Sequence, residues 1–320
     1  MSMEETKTVE VAEEVQTPVA NETAVAVAKA PKKKNPFKQS LENEAPVFNV
    51  VNHILLTVFA LICFLPFLNL IAKAFSKYGT VVSLLPKRLT WDNVGYMFGQ
   101  LDFYRALFNS VWMTVLGTTL SVGFMFMAAY PLSKKNLPFR GGIMIFFTIV
   151  MLFSGGMIPA YAVMNLYGLV NTPVALIAPS IVQVYNMILL KSNLEAIPAE
   201  IEESAYIDGA SHGRILVSIL LPISLPSIAS VAMFTAVTYW NNYFNARLYT
   251  PAAKELWPLA LYILETVQAP PNQINPSWID FAKDNVNSAM ILVSILPIIC
   301  AYPFVLKFFV KGLTVGSVKG

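Results

Sequence analysis

Residues 195–222 read EAIPAEIEESAYIDGASHGRILVSILLP, and their first part, the 195–214 loop, is a charged loop between two long apolar stretches. Five carboxylates lie within the first 14 residues of this segment, although the whole chain has only 19 Asp and Glu. Such a concentration of scarce charge predicts a segment that lies in water beside a largely apolar body.

The local order of residues predicts a short helix and a sharp turn. Pro198 suits the first turn of a helix, and Ile197, Ile201 and Ala205 recur at intervals of four along one face. Asp208–Gly209 predicts a turn after this helix, because glycine takes positive φ without strain. The Asp208 side chain is also expected to cap the helix that follows.

The composition outside this loop indicates a membrane protein. The 320 residues are 56% hydrophobic and 13% charged, whereas a soluble domain has about 25% charged residues. So little charge cannot cover a soluble surface, which excludes an ordinary cytosolic enzyme and argues against a nucleic-acid partner. Cys63 and Cys300 lie inside apolar runs and are interpreted as small hydrophobic residues rather than a disulfide or a metal site.

Six stretches are long and apolar enough to cross a lipid bilayer, so an all-α, multi-pass membrane fold is predicted. None of them contains Asp, Glu, Lys or Arg. They are Val47–Ala72, Phe108–Leu132, Gly141–Val163, Thr172–Leu190, Ile215–Trp240 and Val286–Leu306.

The distribution of Lys and Arg predicts that both termini are cytoplasmic. With the N-terminus inside, 14 of the 22 Lys and Arg lie on the inner side and 8 on the outer side. Five of those eight lie in the 73–107 loop and weaken the bias without reversing it. Residues 1–46 are expected to form a disordered cytoplasmic tail, and the loops 73–107 and 241–285 are expected to lie outside.

Motifs that are missing from the sequence exclude several chemistries. No phosphate-binding G-x-x-x-x-G-K-[ST] loop, H-E-x-x-H zinc motif or G-x-S-x-G nucleophile motif occurs, so no catalytic residue, metal site or bound cofactor is predicted. A membrane-embedded enzyme or scaffold is correspondingly disfavoured. An ion-coupled secondary sugar carrier acting alone stays open, although His53 is the only ionisable relay candidate within a predicted span.

The charged loop resembles the cytoplasmic motif of ABC importer permeases, E-A-A-x-x-D-G-A, then eight residues, then I-x-L-P. This chain has Glu203-Ser204-Ala205 and Asp208-Gly209-Ala210, then eight residues, then Ile219-Leu220-Leu221-Pro222. Further matches resemble the carbohydrate uptake type 1 permeases, which are MalG-like proteins that include the LplC/YtcP kind. They are Ser154–Pro159, Asn171-Thr172, Tyr239–Asn241 and the C-terminal residues 311–320.

The resemblance implies a non-catalytic permease subunit with the type I importer (MetI-like) fold in the bacterial plasma membrane. Its expected partners are a second permease, a dimeric ATPase that holds ATP and Mg, an extracellular solute-binding protein and a carbohydrate. A permease domain over 47–312 and a C-terminal cytoplasmic tail over 313–320 are expected. Residues implied to couple the chain to the ATPase are Glu203, Ala205, Asp208, Gly209, Ala210 and Pro222.

Aromatic and amide side chains near two predicted spans are candidates for a sugar pathway, because sugars bind aromatic faces and amide groups. These residues are Gln183, Tyr185, Asn186, Tyr239, Trp240, Asn241 and Asn242. Hydrogen bonding between helices and an interfacial aromatic belt also explain these residues, and for any single residue this second interpretation is the favoured one. Both interpretations stand at the level of the sequence.

Overall fold

The computed structural model describes the backbone of residues 46–77, 84–269 and 283–317, which is mostly helical. In this part of the chain the α-helices are α1 (Pro46–Ala74), α2 (Asp92–Phe98), α3 (Leu101–Ser133), α4 (Arg140–Leu152), α5 (Met157–Leu166), α6 (Val184–Glu195), α7 (Ala199–Ile207), α8 (His212–Trp240), α9 (Tyr243–Tyr249), α10 (Leu259–Gln268) and α11 (Lys283–Ser317). The all-α class is therefore confirmed for the described residues.

The chain divides into two compact units, residues 1–59 and 60–320. The described part of the first unit, residues 46–59, is the beginning of α1. The expected disordered tail over 1–46 lies outside the described residues except for Pro46. The expected C-terminal tail begins inside α11, which runs to Ser317.

Among the described residues, four helices are long and apolar enough to cross a membrane without interruption: α1, α3, α8 and α11. They contain four of the six predicted spans. Large apolar side chains on their surfaces are exposed, for example Leu61, Val115 and Val217 at about 60%. A soluble protein seldom exposes so much apolar surface, and this exposure is what a lipid-facing surface requires.

The third predicted span, Gly141–Val163, is not one continuous helix. It divides into α4 and α5, and the helix direction changes by 111° across a break of four residues. Gly156 adopts φ +86° at this break, a backbone conformation that an α-helix cannot contain. The predicted stretch therefore corresponds to a bent pair of helices, with Gly155 and Gly156 in the break between them.

The fourth predicted span, Thr172–Leu190, is also broken. Two short 3-10 helices, Pro173–Leu176 and Ala178–Ser180, precede α6 and are bent by 53° from it. Pro173 and Pro179 supply no N–H group, so they suit the beginnings of short helices better than the interior of a long one. Counting each bent pair as one span gives up to six crossings.

Prolines do not interrupt α8, although it contains Pro222 and Pro226. The five residues before Leu221 form a π-helical turn, Leu216–Leu220. A proline removes one backbone donor and crowds the preceding turn, and a wider π turn accommodates this. The helix therefore stays continuous from the charged loop to Trp240.

The buried core consists of several clusters, two of which concern the sites below. The first cluster lies next to the 195–214 loop and draws side chains from α3, α6, α7 and α8: Met125, Phe126, Ala129, Leu132, Met187, Leu190, Leu194, Ala205, Ile215, Leu220 and Val231. The second surrounds Tyr239 and includes Met113, Leu176, Ile177, Ala246 and Leu261. α3 packs against both α6 and α8 and is thus the central helix of the unit.

Buried amides tie the 73–107 and 241–285 loops to the helices. Asn109 donates hydrogen bonds to the carbonyl oxygens of Glu255 and Trp257, at 2.7 and 3.1 Å. Asn93, which is 1% exposed, donates to the carbonyl oxygens of Ala74 and Ser76, both at 2.9 Å. The described parts of the 73–107 and 241–285 loops are therefore anchored to the helix bundle.

Candidate functional site

The 195–214 loop contains the short helix and the turn that its sequence predicts. α7 covers Ala199–Ile207, and Pro198 lies directly before it. At its end, Ala210 N–H donates to the carbonyl oxygen of Ala205 at 2.9 Å, and Gly209 N–H donates to that of Tyr206 at 3.0 Å. This pair of bonds is a Schellman motif, which satisfies the last carbonyl groups of a helix.

Gly209 has φ +80°, which is the conformation that the Schellman motif requires. An ideal Cβ atom at this position would meet nothing within 4 Å. The preference for glycine here therefore comes from the backbone conformation and not from crowding.

The cap of the next helix is not the predicted one. Ser211, and not Asp208, precedes the first residue of α8, and its hydroxyl accepts from Arg214 N–H at 3.4 Å. Asp208 instead ends α7 with near-helical backbone angles. The Schellman motif needs two residues after the helix, and this places the next cap beyond Gly209.

The implied coupling residues lie on different faces of this loop. Ala205 is buried in the first core cluster, and Ala210 is half-buried. Glu203, Asp208 and Gly209 are exposed. Ile207 extends the exposed surface, with 86% of its area accessible, and Pro222 is also exposed, in the first turns of α8. The loop thus presents acidic, small and apolar groups to a potential partner.

Two further carboxylates of this loop form ion pairs within the chain, and the sequence did not reveal these pairs. Glu202 is 9% exposed and forms an ion pair with Lys134, at the end of α3. The Glu195 carboxylate pairs with Arg140, at the start of α4, and with Lys191 at 2.8 Å. The only available signal was that the 133–140 loop is cationic and the 195–214 loop acidic.

Aromatic groups add a third link between α3 and the loop. The hydroxyl groups of Tyr130 and Tyr206 lie 3.4 Å apart, and the Tyr206 hydroxyl also bonds with Nδ1 of His212. The Lys134 ammonium lies 4.7 Å from the centroid of the Tyr130 ring. These contacts and the ion pairs place the 133–140 and 195–214 loops at the same end of the bundle.

Three of the candidate sugar-pathway residues are buried and bonded within the chain. Tyr239 is fully buried and donates to the carbonyl oxygen of Ile177 at 3.1 Å. Asn242 donates to the carbonyl oxygen of Leu176 at 3.0 Å. Asn186 is 4% exposed and donates to Gln183 Oε1 at 2.7 Å and to Thr235 Oγ1 of α8 at 3.3 Å. Their environment favours the interpretation that they join helices together.

The other four candidates are more accessible. Tyr185 is 62% exposed at the beginning of α6. Asn241 is exposed, and its amide donates to the carbonyl oxygen of Val237 one helical turn earlier. Gln183 and Trp240 are half-buried. Four of the seven candidates are thus accessible, and three are buried.

An open cleft of about 670 Å³ lies at the break between α4 and α5. Its lining is mainly apolar and includes Gly156, Pro159, Pro179, Phe244 and Asn245. The sequence matches at Ser154–Pro159 thus correspond to a break in a helix beside a cleft. Among the described residues, no group of three or more His, Cys, Asp or Glu is arranged to hold a metal ion.

Comparison with known proteins gives strong matches over most of the chain, although no family model matches it. The chain is 38% identical over 284 residues to the polygalacturonan/rhamnogalacturonan transport system permease protein YtcP of Bacillus subtilis (strain 168), covering 86% of this chain and 99% of YtcP. It is 37% identical over 282 residues to Protein LplC of the same organism, covering 86% and 95% of the two chains.

Two further matches connect the sequence to ABC transport and to a solved structure. The arabinooligosaccharides transport system permease protein AraQ of Halalkalibacterium halodurans is 30% identical over 280 residues, covering 83% of this chain and 96% of AraQ. A crystal structure of a bacterial ABC transporter involved in the import of the acidic polysaccharide alginate superposes with a TM-score of 0.76 at 28% identity. That match covers 82% of this chain and 96% of the other.

Proposed function

This chain belongs to the permease subunits of carbohydrate ABC transport systems, and we propose that it forms half of a sugar-import pathway driven through its 195–214 loop. The observation that carries the coupling proposal is the exposed surface of α7. Glu203, Asp208 and Ile207 face outward beside a tight glycine turn. A partner ATPase can approach closely at the turn, because the exposed residues Ser204, Gly209 and Ser211 have small side chains or none.

The chain crosses the bacterial plasma membrane six times in this proposal, and both termini are cytoplasmic. The bent pairs α4–α5 and Pro173–Glu195 each serve as one crossing. Ion pairs that hold the 133–140 and 195–214 loops at one end of the bundle support this arrangement. An odd number of crossings between these loops would have separated them across the membrane.

ATP and Mg are bound by the partner ATPase dimer, and this chain binds no cofactor and catalyses no reaction itself. Closure of the ATPase dimer displaces the 195–214 loop. Ala205 lies in the core cluster shared by α3, α6 and α8, so the loop is in contact with the helices that must move. A second permease subunit forms the other half of the pathway.

The proposed substrate is an oligosaccharide or a fragment of a polysaccharide, delivered by an extracellular solute-binding protein. The relatives are described as carrying polygalacturonan/rhamnogalacturonan and arabinooligosaccharides. The binding protein docks on the 73–107 and 241–285 loops. Of the seven candidate pathway residues, Tyr185, Gln183, Trp240 and Asn241 are accessible enough to contact sugar, whereas Asn186, Tyr239 and Asn242 act in packing.

Reconstitution in lipid vesicles tests this function. The complete complex of both permeases and the ATPase is supplied with binding protein and labelled oligosaccharide outside and ATP inside. Uptake is expected only when ATP, ATPase and binding protein are all present. Uptake by this chain alone under an ion gradient, unchanged by removal of ATP, would overturn the proposal in favour of a secondary carrier.

A further inference from the structure

Two carboxylates of the 195–214 loop pair with cations at the ends of two other helices, α3 and α4. Glu202 has a side chain that is 11% exposed and pairs with Lys134, whose side chain is 35% exposed. The carboxylate of Glu195, at the end of α6, accepts hydrogen bonds from the side chains of Arg140 and Lys191. These two carboxylates and three cations make up what is called the latch below.

Apolar contact alone holds α7 weakly. Of its nine residues, Glu202 and Ala205 are buried, and Ala205 contributes only a methyl group to the core. The chain turns at Pro198 before α7 and at Gly209 after it, so neither neighbouring helix continues into α7. A helix this short needs a further contact to fix its orientation, and the Lys134–Glu202 pair supplies one.

The cations of the latch are themselves held in place. Lys134 directly follows α3, and its N–H donates to the carbonyl oxygen of Pro131 at 3.1 Å. Arg140 Nε donates to the carbonyl oxygen of Leu132 at 2.9 Å, while its terminal nitrogen binds Glu195. Arg140 thereby connects the end of α3, the start of α4 and the end of α6.

We propose that Lys134 and Arg140 are positioning residues that transmit movement of the 195–214 loop to α3 and α4. This inference rests on the proposed function, because it assumes that an ATPase moves the loop. An ionic connection between the loop and two helix ends makes the loop and these helices move as one body. Without the latch, α7 turns about Pro198 and Gly209 while the spans stay in place.

The experiment compares charge variants in the complete reconstituted complex. Lys134→Glu and Glu202→Lys each place like charges together, and the double variant restores an opposite pair. Lys135→Glu is the matched control, because Lys135 is the exposed neighbour of Lys134. The measurements are sugar molecules imported per ATP hydrolysed and amide hydrogen exchange of residues 199–207. Where Lys134→Glu lowers the yield of folded complex, Lys134→Gln serves in its place.

Each single variant is expected to import about tenfold less sugar per ATP and to exchange about tenfold faster in residues 199–207, as the loss of a charge-assisted hydrogen bond predicts. The double variant is expected to recover both values to within about twofold. Lys135→Glu is expected to match the parent chain.

The proposal would be overturned if both single variants imported as much sugar per ATP as the parent chain. It would also be overturned if the double variant recovered neither the import ratio nor the exchange rate of residues 199–207. A lower melting temperature with an unchanged ratio would show a purely structural pair and would also overturn it. Failure of the proposed function has a different signature. The parent chain would then import sugar without ATP, while the exchange of residues 199–207 would still report on the ion pair.

Discussion

The ring of Tyr239 lies against the backbone of Gly117, where a Cβ atom would come within 2.8 Å of the ring carbon Cζ. The Tyr239 hydroxyl also lies 2.8 Å from Ser121 Oγ and 3.1 Å from the carbonyl oxygen of Ile177. One side chain of α8 thus fixes the spacing to α3 and to the broken fourth span.

Gly117→Ala is expected to destabilise the chain, because the added methyl group overlaps a buried ring that has no room to move. Overpacking of this kind costs about 1–3 kcal/mol, partly offset by the better helix propensity of alanine, about 1 kcal/mol. The midpoint of thermal unfolding in detergent measures the effect. Gly123→Ala in the same helix is the control, since its Cβ would meet nothing within 4 Å. Equal shifts for both variants would contradict the close contact.

Tyr239→Phe is expected to lower stability by about 1–3 kcal/mol, because Ser121 and a buried carbonyl group lose their hydrogen-bond partner. The sugar concentration at half-maximal uptake is expected to stay unchanged, since Tyr239 is fully buried. Tyr185→Ala is the comparison, because Tyr185 is exposed and is proposed to line the pathway. A changed half-saturation for Tyr239→Phe at normal stability would restore Tyr239 as a sugar contact.

Gly209→Pro is expected to abolish assembly with the ATPase while leaving membrane insertion intact. Proline fixes φ near −65° and cannot take the +80° seen here. It also removes the N–H that bonds with Tyr206. Co-purification of the ATPase with the permease is the measurement.

Gly209→Asn is the control for this substitution, because asparagine tolerates left-handed backbone angles better than other side chains. It is expected to keep most of the assembly. If both variants assemble normally, the turn at residue 209 has no part in ATPase binding.

Asn109→Leu is expected to loosen the attachment of residues 253–258, in the 241–285 loop, to α3. Leucine has a side chain of similar volume but cannot make the two hydrogen bonds that the Asn109 amide donates. Amide exchange in this segment is expected to rise about tenfold, as the loss of about 1.4 kcal/mol predicts. Asn241→Leu is the control, since the Asn241 amide bonds only to its own helix at Val237 among the hydrogen bonds described. Unchanged exchange in Asn109→Leu would show that other contacts hold the loop.

The proposed orientation is tested by single cysteines at Lys135 and Lys254, in a chain whose Cys63 and Cys300 are replaced by serine. A membrane-impermeant thiol reagent applied outside intact cells is expected to label Lys254→Cys only. Lys135→Cys is expected to react only after the membrane is opened. The reverse pattern would invert the topology.

Local features could be predicted from the sequence with good accuracy. The helix and turn of the 195–214 loop depend on neighbouring residues, because a proline start and a glycine with positive φ act within a few positions. The long spans follow from the length of apolar runs for the same reason. The breaks within the third and fourth spans could not be predicted in this way, since apolar composition does not record the backbone angle at Gly156 or the effect of Pro173 and Pro179.

The sequence by itself determined the membrane character, the number of apolar segments and the motif that identifies the family. Each of these depends only on residues that are close together along the chain. Only the tertiary structure decided which polar side chains bond to partners within the chain and which stay exposed. Glu202 meets Lys134 across 68 residues, and Tyr239 meets Ser121 across 118. Helix packing determines such partners. As a result, Glu202 is buried against Lys134, whereas its neighbour Glu203 is exposed on the surface proposed to contact the ATPase.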